Sequence, residues 1–383
     1  MKNTRRHIVI GLIIVVVIAA LSCAPTSRPP QPATSSPAQP ATAIGTAPQF
    51  SSPEDVKWAK IVEAAKKEGK VNAYDYFMVG DIGVAVSRAF EARYGIKLEM
   101  VPARGAETLE RLKTERRIGA IVADMLGGSS PNTINMKREG LTEKVSDILP
   151  VFREKDVWAV DPLALDPDGH VIGYNSSNIN GYINTKLVKM EDAPKSLQDY
   201  LKPQWKGKIV ASDPTISNST YITFVPLLNR GIIDMAYIKA LGEQNLILDV
   251  SPLGTFQKLA RGDAYLTPPV SDSTTGPIAV TGAPVQAISL AHGTEAYMSA
   301  IAAVKGAPHP NAALVYLNWR MSPEGQAVYG QSAGAGSVRK DVPDFRPPSL
   351  TAPAKDVIVV TAKDMDDAAK MFSDKVFVPL LKK

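Results

Sequence analysis

From residue 53 to residue 140 one pattern repeats: an apolar stripe at helical spacing, a glycine, a short apolar run, then another helix. Ser52 stands ahead of Pro53 and Asp55, a helix start in which a hydroxyl caps and proline takes the first turn. Val56, Ala59, Ile61, Val62 and Ala65 then recur at helical spacing as far as Gly69. The same reasoning predicts a strand over 70–76 and a helix from Asp81 to Gly95 carrying Val84, Ala85, Ala89 and Phe90. A strand over 96–101, a helix over 105–118 with Leu109 and Leu112 inward, a strand over 121–126 and a helix over 133–139 follow. Successive strands joined by helices pair in parallel, so the expected class is α/β. Ligands of such sheets sit at the carboxyl ends of the strands, which directs attention to loops 74–80, 102–107 and 127–132.

Residues 158–184 read as short strands and turns, punctuated by Gly169, Gly173, Asn175 and Gly181. A second alternating region starts with a strand over 208–211, the loop Ser212-Asp213-Pro214-Thr215 and a helix over 217–228. A helix over 252–260, strands over 264–266, 285–290 and 296–304, and helices over 311–320 and 323–329 complete it. With 45% apolar and 21% charged residues the chain can bury a sizeable core.

The N-terminal 52 residues are of another kind. Lys2, Arg5 and Arg6 precede an unbroken apolar run over 8–21. As a helix it would be about 21 Å long, short of a hydrocarbon core of about 30 Å. It reads as a signal peptide over 1–22 rather than a spanning anchor. The single cysteine, Cys23, follows in Ala20-Leu21-Ser22-Cys23, so no intramolecular disulfide is available. Cys23 resembles the lipidated cysteine of bacterial lipoproteins, although Leu21 stands two residues before it, where the usual signal has leucine three before. Conventional cleavage near Ser22 is the alternative. Residues 23–52 hold seven prolines and one charge, Arg28, a composition that buries no core and suits a tether.

Several phrases of the body carry a resemblance together: Glu68-Gly69-Lys70-Val71; Phe90-Glu91-Ala92-Arg93-Tyr94-Gly95-Ile96; the glycine-rich turn after Asp124; Met136-Lys137-Arg138-Glu139-Gly140-Leu141; Gly181-Tyr182-Ile183-Asn184-Thr185; Trp205-Lys206-Gly207-Lys208-Ile209 with Asp213-Pro214-Thr215; and Lys305-Gly306-Ala307-Pro308-His309-Pro310-Asn311 ahead of Met321-Ser322-Pro323-Glu324-Gly325. In this order, over roughly residues 54–340, they resemble the extracellular solute-binding proteins of ABC importers, on the ferric-iron-binding side. The resemblance implies a two-lobed periplasmic-binding-protein fold of type II, with a first lobe of residues 53–158 plus 296–383 and a second of 159–295. Two crossing segments would join the lobes, and hinge closure would trap solute in the cleft.

Ferric-binding relatives hold iron with a histidine after the first strand, a glutamate after the third and a tyrosine pair in the second lobe. The corresponding places here are Tyr74-Asp75-Tyr76-Phe77-Met78, Leu126-Gly127-Gly128-Ser129-Ser130 and Tyr265-Leu266-Thr267-Pro268-Pro269, with no histidine, no glutamate and one tyrosine. Iron is therefore the alternative ligand, and no cofactor or metal is expected. The cleft loops instead carry hydroxyls ahead of helices: Ser129 and Ser130, then Ser217, Ser219 and Thr220. Helix N-termini attract anions. Arg104 could pair with such a group, Tyr76, Tyr221 and Tyr265 could form walls, and Asp272 and Glu295 could meet an amine. The expected solute is a small anionic or zwitterionic organic molecule.

Gly330-Gln331-Ser332-Ala333-Gly334 imitates a hydrolase nucleophile elbow, but an expected helix precedes it and no histidine follows. An enzyme is not expected. The formal charge of +5 belongs mostly to the leader: Lys2, Arg5, Arg6 and Arg28 all precede Glu54, the first acid, leaving the body at +1. A nearly neutral body gives no surface for nucleic acid. The expected partners are the solute, the ABC permease of the inner membrane and, through Cys23, the membrane itself. A lipoprotein that senses its ligand and reports to a membrane receptor would need the same cleft and tether.

Overall fold

A computed structural model describes residues 52–382 apart from Val79, Arg104, Asn218, residues 273–275, Val280 and residues 353–355. The signal, the tether and Cys23 lie outside the described residues. So does Arg104. Among the described residues no helix is long and apolar enough to cross a membrane.

Helix α1 (Pro53–Glu68) begins as its sequence dictates. The Ser52 hydroxyl accepts from the Asp55 N–H at 3.2 Å, and Gly69 ends the helix at φ 74°. The first lobe is built on β1 (Lys70–Asp75), β2 (Lys97–Val101) and β3 (Met125–Ser129), joined by α2 (Gly80–Tyr94) and α3 (Gly105–Arg117) and followed by α4 (Ser130–Arg138). Their sheet runs β2-β1-β3 in parallel. Beyond β3 the sheet holds a strand that arrives much later in the chain and, outside that strand, β4 (Ile172–Gly173).

The second lobe centres on β5 (Ser177–Asn184), followed by β6 (Val210–Ser212), α5 (Ser219–Asn229), α6 (Met235–Gly242), β7 (Ile247–Asp249), α7 (Pro252–Arg261), β8 (Leu266–Ser271), α8 (Gly276–Ala279), β9 (Val285–Ile288) and β10 (Thr294–Tyr297). Strand β5 pairs antiparallel with β8, β9 and β10, while β6 and β7 form a small parallel sheet. The β5–β8 register slips between Asn180 and Tyr182, opposite Pro268 and Pro269. Neither proline has an N–H for the ladder, so the slip falls where pairing is weakest.

The late strand of the first sheet is β11 (Ser299–Ala303), which lies antiparallel between β3 and β4. Two crossings are thus visible. One runs from Gly173 to Ser177 and the other from Tyr297 to Ser299. They are tied by Tyr174 N–H to Ser299 O at 3.0 Å and Ser299 N–H to Asn175 Oδ1 at 2.7 Å. The first crossing comes later than the expected boundary at 158, because β4 belongs to the first sheet. Helices α9 (Pro310–Met321) and α10 (Pro323–Ala333) return to the first lobe. There Phe90 meets Tyr316 and Trp319 at ring distances of 5.2 and 5.4 Å in the larger core.

The expectation that everything from 296 to 383 belongs to the first lobe is corrected at the C-terminus. Strand β12 (Val357–Val359) pairs with β10, and α11 (Ala362–Ser373) and α12 (Val378–Leu381) follow. Ala368, Phe377 and Leu381 bury in the second lobe's core with Tyr221 and Phe224. Met365 of α11, by contrast, buries in the larger core with Phe90 and Trp319, so the C-terminal segment spans both cores.

Candidate functional site

A cavity of about 370 Å³ opens between the lobes. Its first-lobe wall comes from Tyr76 and Phe77 after β1, from Gly127, Gly128 and Ser129 in β3, and from the first turns of α3 and α4. Its second-lobe wall comes from Thr215, Ile216, Ser217 and Ser219 before and at the start of α5, from Val250 to Pro252 at the start of α7, and from the end of β8. Four helices therefore present N-terminal turns to one volume. Each such turn carries N–H groups without intrahelical partners and a partial positive charge.

The local chemistry explains why these turns sit where they do. Ser251 caps α7, its hydroxyl accepting from Gly254 N–H at 3.0 Å. Asp213 organises the loop before α5: its Oδ1 accepts from Thr215 N–H at 2.8 Å and from the Thr215 hydroxyl at 2.6 Å. Ser217 accepts from Ser219 N–H at 3.3 Å and donates to the Ser219 hydroxyl at 3.2 Å. Gly127 gives the floor its depth. A Cβ there would lie 1.9 Å from Asp75 Oδ2, so the buried Asp75 side chain fills the space beneath it. Burial pushes the Asp75 carboxyl up to about 6, against the backbone N–H of Phe77 and the nearby Arg320 guanidinium.

Of the residues singled out in the sequence, Tyr76, Ser129, Ser217 and Ser219 line the cavity. The other described ones do not. Ser130 is fully buried, its N–H donating to the Tyr297 hydroxyl at 3.1 Å and its hydroxyl to Met298 O, so it ties α4 to the returning crossing. Thr220 donates to Ser212 O at 3.1 Å, fastening α5 to β6. Tyr221 lies in the second core, stacked on Phe377 at 4.4 Å, and its hydroxyl accepts from Phe377 N–H at 3.2 Å. Tyr265 packs at the edge of that core under Lys208 Nζ, 4.7 Å from its ring centre.

Asp272 is buried and faces Arg346 at 3.5 Å rather than solute. Glu295 is 0% exposed, and burial holds its carboxyl well above the usual range, favouring the neutral form. Neither is placed to meet a ligand amine. The sequence places both on cleft-side loops, but their side chains are buried in the protein.

Lining residues that sequence reasoning passed over include Thr108, Thr133 and Met136 from the first lobe, Ile216, Ile222, Val250, Ser251, Ser271 and Phe372 from the second, and Tyr297 at the crossing. Among the described lining side chains there is no lysine, arginine or histidine, and Glu107 is the sole carboxylate. Among the described residues no cluster of three or more His, Cys, Asp or Glu side chains could hold a metal ion.

Residues 85–357 match the model of the family described as bacterial extracellular solute-binding protein, and the chain belongs to that family. The class is that of bacterial extracellular solute-binding proteins. An uncharacterized protein of Haemophilus influenzae strain Rd is 23% identical over 261 residues, covering 63% of this chain and 70% of its own. Iron-bound HitA from Pseudomonas aeruginosa is similar at 18% identity and a TM-score of 0.65, over 81% of this chain and 99% of HitA. The periplasmic binding protein AfuA from Actinobacillus pleuropneumoniae, solved with fructose-6-phosphate, is similar at 18% identity and 0.66, over 82% of this chain and 98% of AfuA. At these identities the structural likeness shows the fold, a two-lobed periplasmic-binding-protein architecture.

Proposed function

We propose that this protein captures a small anionic organic solute, such as a phosphate ester or carboxylate, and delivers it to an ABC permease. The observation that carries the reading is the convergence of four helix N-terminal turns on one interlobe cavity, with Ser129, Thr133, Thr215, Ser217 and Ser219 around it. N–H and hydroxyl donors neutralise an oxyanion by hydrogen bonds without an opposing side-chain charge. Phe77, Met136, Ile216 and Ile222 give the same cavity an apolar side, which suits an organic remainder. AfuA, of the same fold, was solved with a sugar phosphate. The site on this reading comprises Tyr76, Ser129, Ser217 and Ser219, with Arg104 as a further contributor from the sequence.

Ferric iron is the second reading, favoured by the two phenols Tyr76 and Tyr297 on the cavity wall. Against it, burial pushes the Tyr297 hydroxyl up and away from the phenolate that Fe(III) requires.

The proposal extends to the N-terminus: signal 1–22 removed, Cys23 lipidated, and residues 23–52 tethering the body outside the membrane. Mass spectrometry of the mature N-terminus tests this part, and a Cys23→Ser protein released into the medium is the expected counterpart.

The solute is tested by thermal shift with inorganic phosphate, sugar phosphates, dicarboxylates and Fe(III) citrate. Ligand at a hundred times its Kd stabilises the native state by about 2.7 kcal/mol. An oxyanion is expected to give the shift. Stabilisation by Fe(III) alone refutes the anion reading.

A further inference from the structure

Helix α11 lies beyond the residues that match the family, yet Phe372 from its last turn lines the cavity. The helix is fixed to the second lobe. Thr361 and Asp364 form a capping box at its start. Arg230 at the end of α5 grips the buried Asp364 with two bonds, Nη1 to Oδ1 at 3.1 Å and Nη2 to Oδ2 at 3.0 Å, and Asn229 donates to Asp364 and Asp367 at 2.9 and 3.0 Å. Near its end the Phe372 ring meets Tyr221 edge-on at 5.5 Å and 76°, and Tyr221 is itself stacked on Phe377. One side of Phe372 is thus held by a rigid aromatic group while another faces the cavity.

Toward the first lobe the same helix approaches α4 through the half-exposed Arg138–Asp366 ion pair. Behind that pair is an open hollow of about 440 Å³ lined by Asn135, Arg138, Lys370 and Ser373. The helix therefore packs on both lobes, against α5 in the second and against α4 in the first, with Met365 buried in the larger core. Met136 on α4 and Phe77 after β1 line the same cavity.

We propose that Phe372, carried into the cleft by the C-terminal helix, is a specificity-determining residue that selects solutes bearing a ring or other flat apolar face beside the anionic group. The proposal rests on the solute-binding reading above, but the wall it describes does not depend on the charge of the ligand. Lobe closure would press such a face onto Phe372 within a lining that also holds Met136 and Phe77. A bare oxyanion would gain nothing from it.

The test is calorimetry on the wild-type protein and two variants, with three probes: inorganic phosphate, phenyl phosphate and uncharged benzyl alcohol. Wild type is expected to prefer phenyl phosphate to inorganic phosphate by about tenfold or more, the range that burial of an aromatic face provides. Phe372→Ala is expected to shrink that preference to about threefold or less, and Phe372→Leu is expected to keep most of it. Saturation-transfer NMR from the bound phenyl ring to a labelled Phe372 in the wild type supplies a readout that does not depend on a variant folding. An unchanged preference in Phe372→Ala, or no transfer to Phe372 from a bound ring, overturns the proposal. If benzyl alcohol binds against Phe372 and neither phosphate binds, the anion reading falls and the wall stands. If none of the three binds the wild type, the wall falls as well.

Discussion

Replacing Asp272 with asparagine is expected to stabilise the protein progressively as pH rises. Asp272 follows β8, is 4% exposed, and lies 3.5 Å from Arg346. That arginine does not belong to Asp272 alone, because Asp344 takes two bonds from its Nε at 3.0 Å. Burial therefore outweighs the shared cation and raises the carboxyl from 3.8 to about 6. Between those values the folded protein keeps a proton that the unfolded chain releases. The stability tied to that proton is fully present below 3.8 and lost as pH climbs through 6. At about 1.4 kcal/mol per tenfold change in proton affinity, the full loss is about 3 kcal/mol.

Asparagine resembles the protonated acid at every pH, and Arg346 keeps Asp344, so no buried charge is orphaned. Urea denaturation of both proteins at pH 4 and pH 7.5 isolates the effect. Other titrating groups, including Asp75, contribute to both and cancel in the difference. The stability of Asp272→Asn relative to wild type should improve by about 2–3 kcal/mol between the two pH values. A difference constant to within about 0.5 kcal/mol, or one that moves the other way, would show that Arg346 dominates burial, and the reasoning fails.

Phe90→Ala, which empties the contact with Tyr316 and Trp319, should cost about 3–5 kcal/mol in urea denaturation. Gly127→Ala places a Cβ 1.9 Å from Asp75 Oδ2, so the buried Asp75 side chain must move from its place beneath the floor. A loss of about 1–3 kcal/mol and of solute binding is expected together. Ser219→Ala removes a cavity hydroxyl and no cap, so calorimetry should show anion affinity falling about tenfold with the melting temperature nearly unchanged.

The strand-end loops were legible because connection length and cap chemistry are local. Ser52, Gly69 and Gly95 mark helix ends on their own, and the α/β rule then places the ligand side of the sheet. Which side chains on those loops reach the cavity was not legible, because it depends on helix phase. Ser219 and Ile222 are three apart and share the cavity face, whereas Thr220 and Tyr221 point into the lobe. In α5 every residue from Thr220 to Leu227 is buried, so no polar stripe records the phase. The strand at 266–271 was cut short at its two prolines, though the fold keeps them through a register slip. Strand β7 and α11 were not anticipated, and with them went Val250, Ser251 and Phe372. Asp272 and Glu295 show the reverse error: a carboxylate on a cleft-side loop reads as accessible, but Asp272 meets Arg346, distant in sequence, and Glu295 is enclosed with neither oxygen hydrogen-bonded.

The near-neutral body and the composition of the cavity wall belong to one arrangement. A two-lobed binding protein must hold its site both empty and filled. A lysine or arginine buried by closure without its anion would carry a desolvation cost of several kcal/mol. Helix N-terminal N–H groups and serine hydroxyls carry no net charge, so the empty site can be hydrated and closed at far smaller cost. Among the described residues the wall follows that logic, with hydroxyls at Ser129, Thr215, Ser217 and Ser219 and no cation. Binding that rests on fixed dipoles within a closed cleft is screened little by salt, since the Debye length of about 8 Å at physiological ionic strength acts on exposed charges. Solute affinity at 0.5 M sodium chloride should therefore stay within about threefold of its value at 0.05 M, whereas a site built on an exposed cation loses affinity steeply over the same range.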